Sequence, residues 1–565
     1  MLYQNAGTVN SDGLTAAQID AQRQAAAPIC AANGMDRSGW NLMAEWDQSG
    51  GGWVAGGRPS YAGLTREQAY AKFTQYYKSL TPLATYLAQT ADQIGCRKIA
   101  QTDYPPNVFY AYAMGVDEVL LERGLDELGD ISTGIAFTRG AARQNSEPWG
   151  IDLSTWRTFS DSATRFDSAG TLTGGWSPSY LRRHLYASYL NGAHIAQIEP
   201  TVYTLPGGGL NPFGAAVQDF GSFALTRHPD VGRTVVSIAI ILPFNSGFDT
   251  KHGLYNQYDG VWYQDIPYSS GDYMINNFFK VAYPNHWLQG TMPCPFTGAA
   301  DYDAYLAGGG DARPCEPMPF TRWGDNLDVI TDTASATALA QYKAIVLAGD
   351  VVLNPTLRAN LQAWMQGGGT LVVNSSQISN QDQSWLGITL GGTKTATDSK
   401  WTANNAVFTE ASFSYPAVTP TSASVLATTQ GGDALVTSAS YGQGRVIFTA
   451  PSYLQASNNT QFLNIGTALI DWLNAQYALA TVNGPQLEYV VNQAAGTTIV
   501  GLINNSGTTW NGTIAFKKMG TMLSATEYLS DTAMSATDAG NVINVAAQVP
   551  PYEVKIVAVQ FAPTN

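Results

Sequence analysis

The chain has 565 residues, enough for three or four domains at roughly 100–200 residues each. Charged residues make up 13% and apolar ones 45%, with a formal net charge of −14. That balance excludes a disordered chain and argues against nucleic acid or an anionic membrane as partner, since both need a basic face. No apolar run approaches the roughly 18 residues that would span a bilayer.

Few charges beside 56 Gly, 29 Tyr and 14 Trp fit secreted proteins that handle neutral polymers, because sugars are gripped by aromatic faces and uncharged hydrogen bonds. Four cysteines (Cys30, Cys96, Cys294, Cys315) and five histidines offer neither CxxC nor HExxH spacing, so neither a metal centre nor a cofactor is expected. Cys294 and Cys315 bracket a Gly/Pro/Asp-rich loop, where either a closing disulfide or a reduced buried pair fits. The start at Met1 lacks a basic stretch followed by an apolar one. An extracellular or periplasmic protein whose leader lies outside this sequence is therefore expected, with a cytoplasmic one as the alternative.

In chain order, WNLMAEWD is a first strand, ending near Glu45 and Asp47. Residues 54–95 read as helix and loop. CRKIAQTD is a strand ending at Asp103, and VDEVLLERG another ending near Glu122. GDISTGIAFTRGAARQ reads as a helix capped by Asp130, and PWGIDLSTW as a strand carrying Asp152. Ser177 and Pro178 suit the cap and first position of the helix YLRRHLYASYLNG, which stops at Gly192. The strand AHIAQIE follows and delivers Glu199.

These five strands, each closing on an acidic residue, suggest a parallel TIM-barrel-like domain over 1–232, whose active site would lie at the strand C-termini. Glycoside hydrolysis needs two carboxyl groups flanking the bond. Glu199, Glu122, Asp152 and Glu45 are the catalytic candidates. Trp46, Asp103, Tyr104, Trp149, Trp156 and Arg157 are the substrate-binding ones, with Trp40, Trp53 and Trp176 as further aromatics. Trp149 and Trp176 read equally well as core aromatics. Strand-end carboxylates are also often salt-bridge partners, and Arg123, Arg139, Arg143 and Arg157 are available. Asp117 and Glu118 read as solvated charges at a strand start, and His194, at the opposite strand end, as structural. A full barrel takes about 250 residues, so five strands in 232 residues read as an incomplete one whose open edges call for a homo-oligomer.

From 233 to 480 strands and helices alternate. VVSIAIILPF and KAIVLAGD are buried strands. Asn354-Pro355 opens the helix LRANLQAWMQ, Gly367–Gly369 stop it, and TLVVNSS follows. Those glycines follow a helix and precede a strand, so they are no phosphate cradle. GRVIFTAPSYL precedes a helix with Phe462, Ile465, Leu469 and Trp472 on one face. A flavodoxin-like domain is predicted here, with an inserted β region at 380–440 and no chemistry of its own, since Asp350 stands where a nucleophile elbow would carry Cys or Ser. From 481 to 565, short alternating runs such as LEYVVNQ, TTIVGLINN and EVKIVAVQF predict an antiparallel β-sandwich.

This layout, with YKAIVLAGDVVLNPTLRANLQAWMQGGGTLVVNSS in the middle and PPYEVKIVAVQ near the end, resembles that of the glycoside hydrolase family 42 β-galactosidases. The resemblance implies a glutamine-amidotransferase-like middle domain that mediates assembly, hence a dimer or trimer. It also implies an acid/base in an Asn-Glu pair after the fourth strand and a nucleophilic Glu after the seventh. No Asn-Glu dipeptide occurs here. Glu199 best matches the nucleophile, and Glu45 or Glu122 is left for the acid/base. The expected function is hydrolysis of a neutral or weakly charged oligo- or polysaccharide. A non-catalytic carbohydrate-binding or assembly protein on the same scaffold is the alternative. A polysaccharide lyase fits less well, since uronates call for basic residues.

Overall fold

The computed structural model describes residues 4–8, 15–34, 38–43, 59–79, 83–102, 106–123, 131–155, 164–199, 202–205, 207–248, 261–262, 265–284, 294, 296, 299–316, 318–379 and 382–562. Its first sheet holds six parallel strands in sequence order: β1 (Gln4–Thr8), β2 (Ser38–Met43), β3 (Arg97–Thr102), β4 (Glu118–Arg123), β5 (Trp149–Leu153) and β6 (Ile195–Ile198). Every neighbouring pair is parallel, and the sheet curls into a half-barrel. β1 is an addition to the five strands predicted, and it makes the strand bearing Glu122 the fourth.

Helices α1 (Ala16–Asn33), α2 (Arg66–Ser79), α3 (Asn107–Met114), α4 (Ile131–Asn145) and α5 (Pro178–Leu190) connect or flank these strands. Ser177 caps α5 as expected, its hydroxyl accepting from the Tyr180 N–H at 3.1 Å. The Cys294–Cys315 disulfide is present. A second, Cys30–Cys96, ties the end of α1 to the residue before β3; no local spacing pointed to it.

The second sheet has five parallel strands: β7 (Ile238–Leu242), β8 (Leu327–Thr331), β9 (Ala344–Leu347), β10 (Thr370–Asn374) and β15 (Gly444–Thr449). They run in the order β8-β7-β9-β10-β15, the second-first-third-fourth-fifth arrangement of a doubly wound sheet. Antiparallel β11 (Ile388–Trp401), β12 (Ala406–Pro420), β13 (Ser424–Thr428) and β14 (Ala434–Tyr441) widen it beyond β15. The helix Pro355–Gln366 is capped by Asn354, whose Oδ1 accepts from the Leu357 N–H at 2.9 Å. In the helix Asn464–Tyr477 the buried face is Ile465, Leu469, Ile470 and Leu473. Phe462 precedes this helix and Trp472 is only half-buried, which corrects the predicted stripe.

The C-terminal strands form two antiparallel sheets. Arg233–Thr234 pairs with Gln493 and Asn492 of one of them, so the chain visits that sheet before entering β7.

One polar cluster lies within the first sheet and a second joins it to the C-terminal sheets. Asp117 is half-buried, and Glu118 is not solvated at all. Glu118 is fully buried against His194, with Nδ1 to Oε1 at 3.1 Å, and against Arg97 at 3.7 Å, while Asp117 pairs with Lys98 at 3.7 Å. Their partners come from neighbouring strands, which local sequence does not reveal.

Elsewhere, buried Arg183 of α5 donates to Asn505 Oδ1 at 2.6 Å, lies over the Tyr180 and Tyr552 rings and stands 3.9 Å from Glu316. Asn505 in turn donates to Glu488. Burial, reinforced by Asp325, pushes the Glu488 carboxyl well above the usual carboxylate range, against the opposing pull of Asn505 and Arg183. The folded protein therefore holds a proton there that the unfolded chain has already lost, so stability falls as pH rises from the ordinary carboxylate value toward the raised one. Buried Asp325 is shifted in the same direction. Thermal scans are expected to show the melting temperature dropping between about pH 5 and about pH 8. Glu488→Gln is expected to flatten that slope, and an unchanged slope in the variant would refute the assignment.

Candidate active site

The inner face of the half-barrel is apolar toward the strand N-termini. Ile99, Leu120 and Ile195 form a buried cluster, and Gly150 leaves them room. A Cβ at Gly150 would lie 2.5 Å from Leu120 Cδ2 and 2.9 Å from Ile195 Cβ. Two residues further along each strand the same face turns polar, because side chains alternate with period two. Glu122, Asp152 and Gln197 stand in one register across β4, β5 and β6, and Gln101 of β3, opposite Leu120, reaches Glu122 diagonally.

Hydrogen bonds connect this row. Asn41 Nδ2 donates to Gln101 Oε1 at 2.9 Å, and Gln101 Nε2 donates to Glu122 Oε2 at 2.9 Å. Gln197 Nε2 donates to Asp152 Oδ2 at 2.7 Å. One step nearer the strand ends, Ser154 Oγ donates to Glu199 Oε2 at 2.9 Å, and the Glu199 N–H bonds the Leu153 carbonyl. Glu122 is 4% exposed and Asp152 0%, while Glu199 is half-buried. Carboxylates are rarely buried so deeply unless they are hydrogen-bonded, and here amides and a hydroxyl supply those bonds.

Three of the four catalytic candidates, Glu122, Asp152 and Glu199, thus come from three consecutive strands of one face. Glu45, Trp46, Asp103, Tyr104, Trp156 and Arg157 lie outside the described residues. Trp149 opens β5 at the end away from Asp152 and is buried in the core, so it is a packing residue and not a sugar platform. Trp40 and Trp176 are likewise fully buried, against Tyr86 and against Tyr180 and His184. Arg139 and Arg143 do not serve the strand-end carboxylates: both bind Asp328 of β8.

Sequence reasoning missed Asn41, Gln101, Gln197 and Ser154. Their signal was present as single uncharged polar residues at inward positions of otherwise apolar strands. Among the described residues no group of three or more His, Cys, Asp or Glu is placed to hold a metal. A groove of about 730 Å³, lined by Leu479, Lys517, Lys518, Thr521 and Asn541 among others, lies on the C-terminal sheets, and none of the described half-barrel residues lines it.

Neither a family model nor a curated protein matches the sequence. Solved structures do match its fold. A β-galactosidase from Bacillus circulans sp. alkalophilus superposes with a TM-score of 0.55 at 11% identity, over 96% of this chain and 82% of that one. An α-L-fucosidase isoenzyme 2 from Paenibacillus thiaminolyticus gives 0.56 at 12% identity, over 97% and 80%. Gan42B, a GH42 β-galactosidase from G. stearothermophilus, gives 0.53 at 10% identity, over 97% and 82%. The chain therefore shares the architecture of GH42 β-galactosidases.

Proposed function

We propose that the protein is a glycoside hydrolase acting on a neutral or weakly charged oligo- or polysaccharide, with Glu122 and Glu199 as its reacting carboxyl groups. The observation that carries this reading is the position of Glu122. With β1 counted, it ends the fourth strand of a curled parallel sheet, where the resemblance to GH42 β-galactosidases expects the acid/base, and it is buried and hydrogen-bonded.

In this reading Glu122 protonates the departing glycosidic oxygen. Glu199, after the sixth strand, attacks the anomeric carbon or activates water. Asp152 stands between them and holds the developing positive charge of the sugar ring. Residues 1–232 form the catalytic unit, 233–480 a flavodoxin-like, glutamine-amidotransferase-like unit, and 481–565 a β-sandwich.

Turnover of a glycan and aryl-glycoside panel by wild type, Glu122→Gln and Glu199→Gln tests the assignment. Undiminished turnover in both variants would overturn it. The alternative, a non-catalytic carbohydrate-binding protein, draws support from the six strands described where a full barrel has eight, and from the absence of an Asn-Glu pair. Glycan binding by a wild type that hydrolyses none of the panel would favour it.

Both cysteine pairs being disulfides supports an extracellular or periplasmic location, where such bonds persist. The open sheet supports a homo-oligomer, dimer or trimer. Thiol titration of the unreduced protein should find no free cysteine, and light scattering should report more than one chain per particle. Free thiols or a monomer would count against the respective proposal.

A further inference from the structure

We propose that Gln101 is a positioning residue that keeps Glu122 in place through an uncharged donor while its carboxyl gains and loses a proton. The argument starts from donor and acceptor complementarity. A carboxamide has one face that only donates and one that only accepts. Asn41 Nδ2 occupies the accepting face of Gln101 at 2.9 Å, so the donating face is turned to Glu122 Oε2, also at 2.9 Å. Rotating the Gln101 amide by half a turn would set its N–H groups against those of Asn41 and its oxygen against the carboxylate. With Glu122 ionised both contacts would be repulsive, so the carboxylate and Asn41 Nδ2 together orient the Gln101 amide.

Burial keeps water from substituting for these donors, since Gln101 is 4% exposed and Asn41 1%.

An amide N–H remains a donor whether the carboxyl is ionised or protonated. The Gln101 N–H can therefore stay on Glu122 Oε2 whether or not the carboxyl carries a proton, and the side chain keeps its place. A lysine or arginine in the same position would hold only the ionised form strongly, and a carboxylate would repel it. A group that must cycle between the two states is served best by the neutral donor found here. Gln101 thus acts on the reaction through Glu122, and the kinetic consequence rests on the glycosidase reading above. The consequence for proton binding does not.

The test therefore has a readout that needs no activity. In protein labelled with ¹³C at glutamate carboxyls, with the Glu122 signal identified by its loss in Glu122→Gln, the titration midpoint of Glu122 is followed in wild type and Gln101→Leu. Removing a donor to the ionised form is expected to raise that midpoint by about one pH unit. Gln101→Glu, which replaces donor by acceptor at nearly constant shape, is expected to raise it further. Where hydrolysis is measurable, Gln101→Leu should lower kcat by about 10-fold to 100-fold with KM little changed and move the pH profile by the same amount as the midpoint. Identical midpoints in wild type and both variants, each verified as folded by its melting transition, would overturn the inference. A shifted midpoint in a protein that hydrolyses nothing would leave the inference standing and sink the glycosidase reading alone.

Discussion

Glu122→Gln is expected to lower kcat on an unactivated glycoside by about 10²-fold to 10⁴-fold, the range lost when a positioned general acid is removed. The size of the loss should depend on the leaving group in a way that identifies the role. An alkyl or sugar leaving group departs as a strongly basic alkoxide unless it is protonated, so the missing acid is felt in full. A dinitrophenolate departs unaided, and the same variant should retain most of its bond-cleaving rate on that substrate. Glu199→Gln should fall on both substrate types, because attack on the anomeric carbon, or activation of the attacking water, is required whichever group leaves. Asp152→Asn keeps the shape and the possibility of a bond to Gln197 but removes the carboxyl group from a fully buried site beside Glu122. Its loss should fall on kcat more than on KM if Asp152 steadies an oxocarbenium-like transition state. Initial rates on a leaving-group series for the three variants separate these roles. Equal losses for Glu122→Gln across the series would reject Glu122 as the acid and leave it a structural carboxylate.

How much of this was legible in the sequence differs from layer to layer. The C-terminal strands were readable because alternation and turn residues are local signals, and Glu488–Ala494, Thr497–Ile503 and Val554–Phe561 fall on the predicted runs. The unit around Asn354 and Gly367 was readable for the same reason: cap, helix and stop lie within a few residues of one another. Gln4–Thr8 was not, since QNAGT carries no apolar alternation and its strand character comes from pairing with β2. Missing it placed the strand of Glu122 third in the count, where the sheet has it fourth.

Within the site, the carboxylates were legible as acidic residues at strand ends, but their holders were not. Gln101 is 21 positions from Glu122, and Gln197 is 45 from Asp152. Charge partners were misjudged for the same reason: Arg139 looked available to the barrel until the fold placed it 2.7 Å from Asp328, 189 residues away. Tryptophan content was a weak guide, because Trp40, Trp149 and Trp176 fill the core.

Asp328→Ala is expected to cost about 3–5 kcal/mol of stability, the largest effect foreseen outside the half-barrel's inner face. Asp328 is fully buried in β8, the edge strand of the second sheet, and α4 lies across that edge. Arg139 Nε donates to Asp328 Oδ1 at 2.7 Å, while Arg143 donates to Oδ2 at 2.8 Å and the Tyr342 hydroxyl to Oδ2 at 2.9 Å. Arg139 also donates to the Asn191 side chain and to the carbonyls of Asp325 and Leu327. Removing the carboxylate leaves a guanidinium that is 2% exposed with Asp325 as its remaining counter-charge, and the lost ion pair is the source of the cost. The helix can come so close only because residue 140 is glycine: a Cβ there would lie 1.9 Å from the Val329 carbonyl oxygen. Backbone cannot swing aside as a side chain can, so Gly140→Ala is expected to push α4 off the strand at a cost of about 1–3 kcal/mol. It would also loosen the arginine contacts on either side of it. Because each substitution acts on the same joint, their effects should fall short of additive. Replacing both partners, as in Arg139→Met with Asp328→Leu, should recover only part of the loss, since Arg143, Tyr342 and buried Asp325 lose a partner in the double variant. Urea unfolding midpoints of the single and paired variants measure all of these, and an Asp328→Ala midpoint equal to that of wild type would show that this buried cluster does not hold α4 to the second sheet.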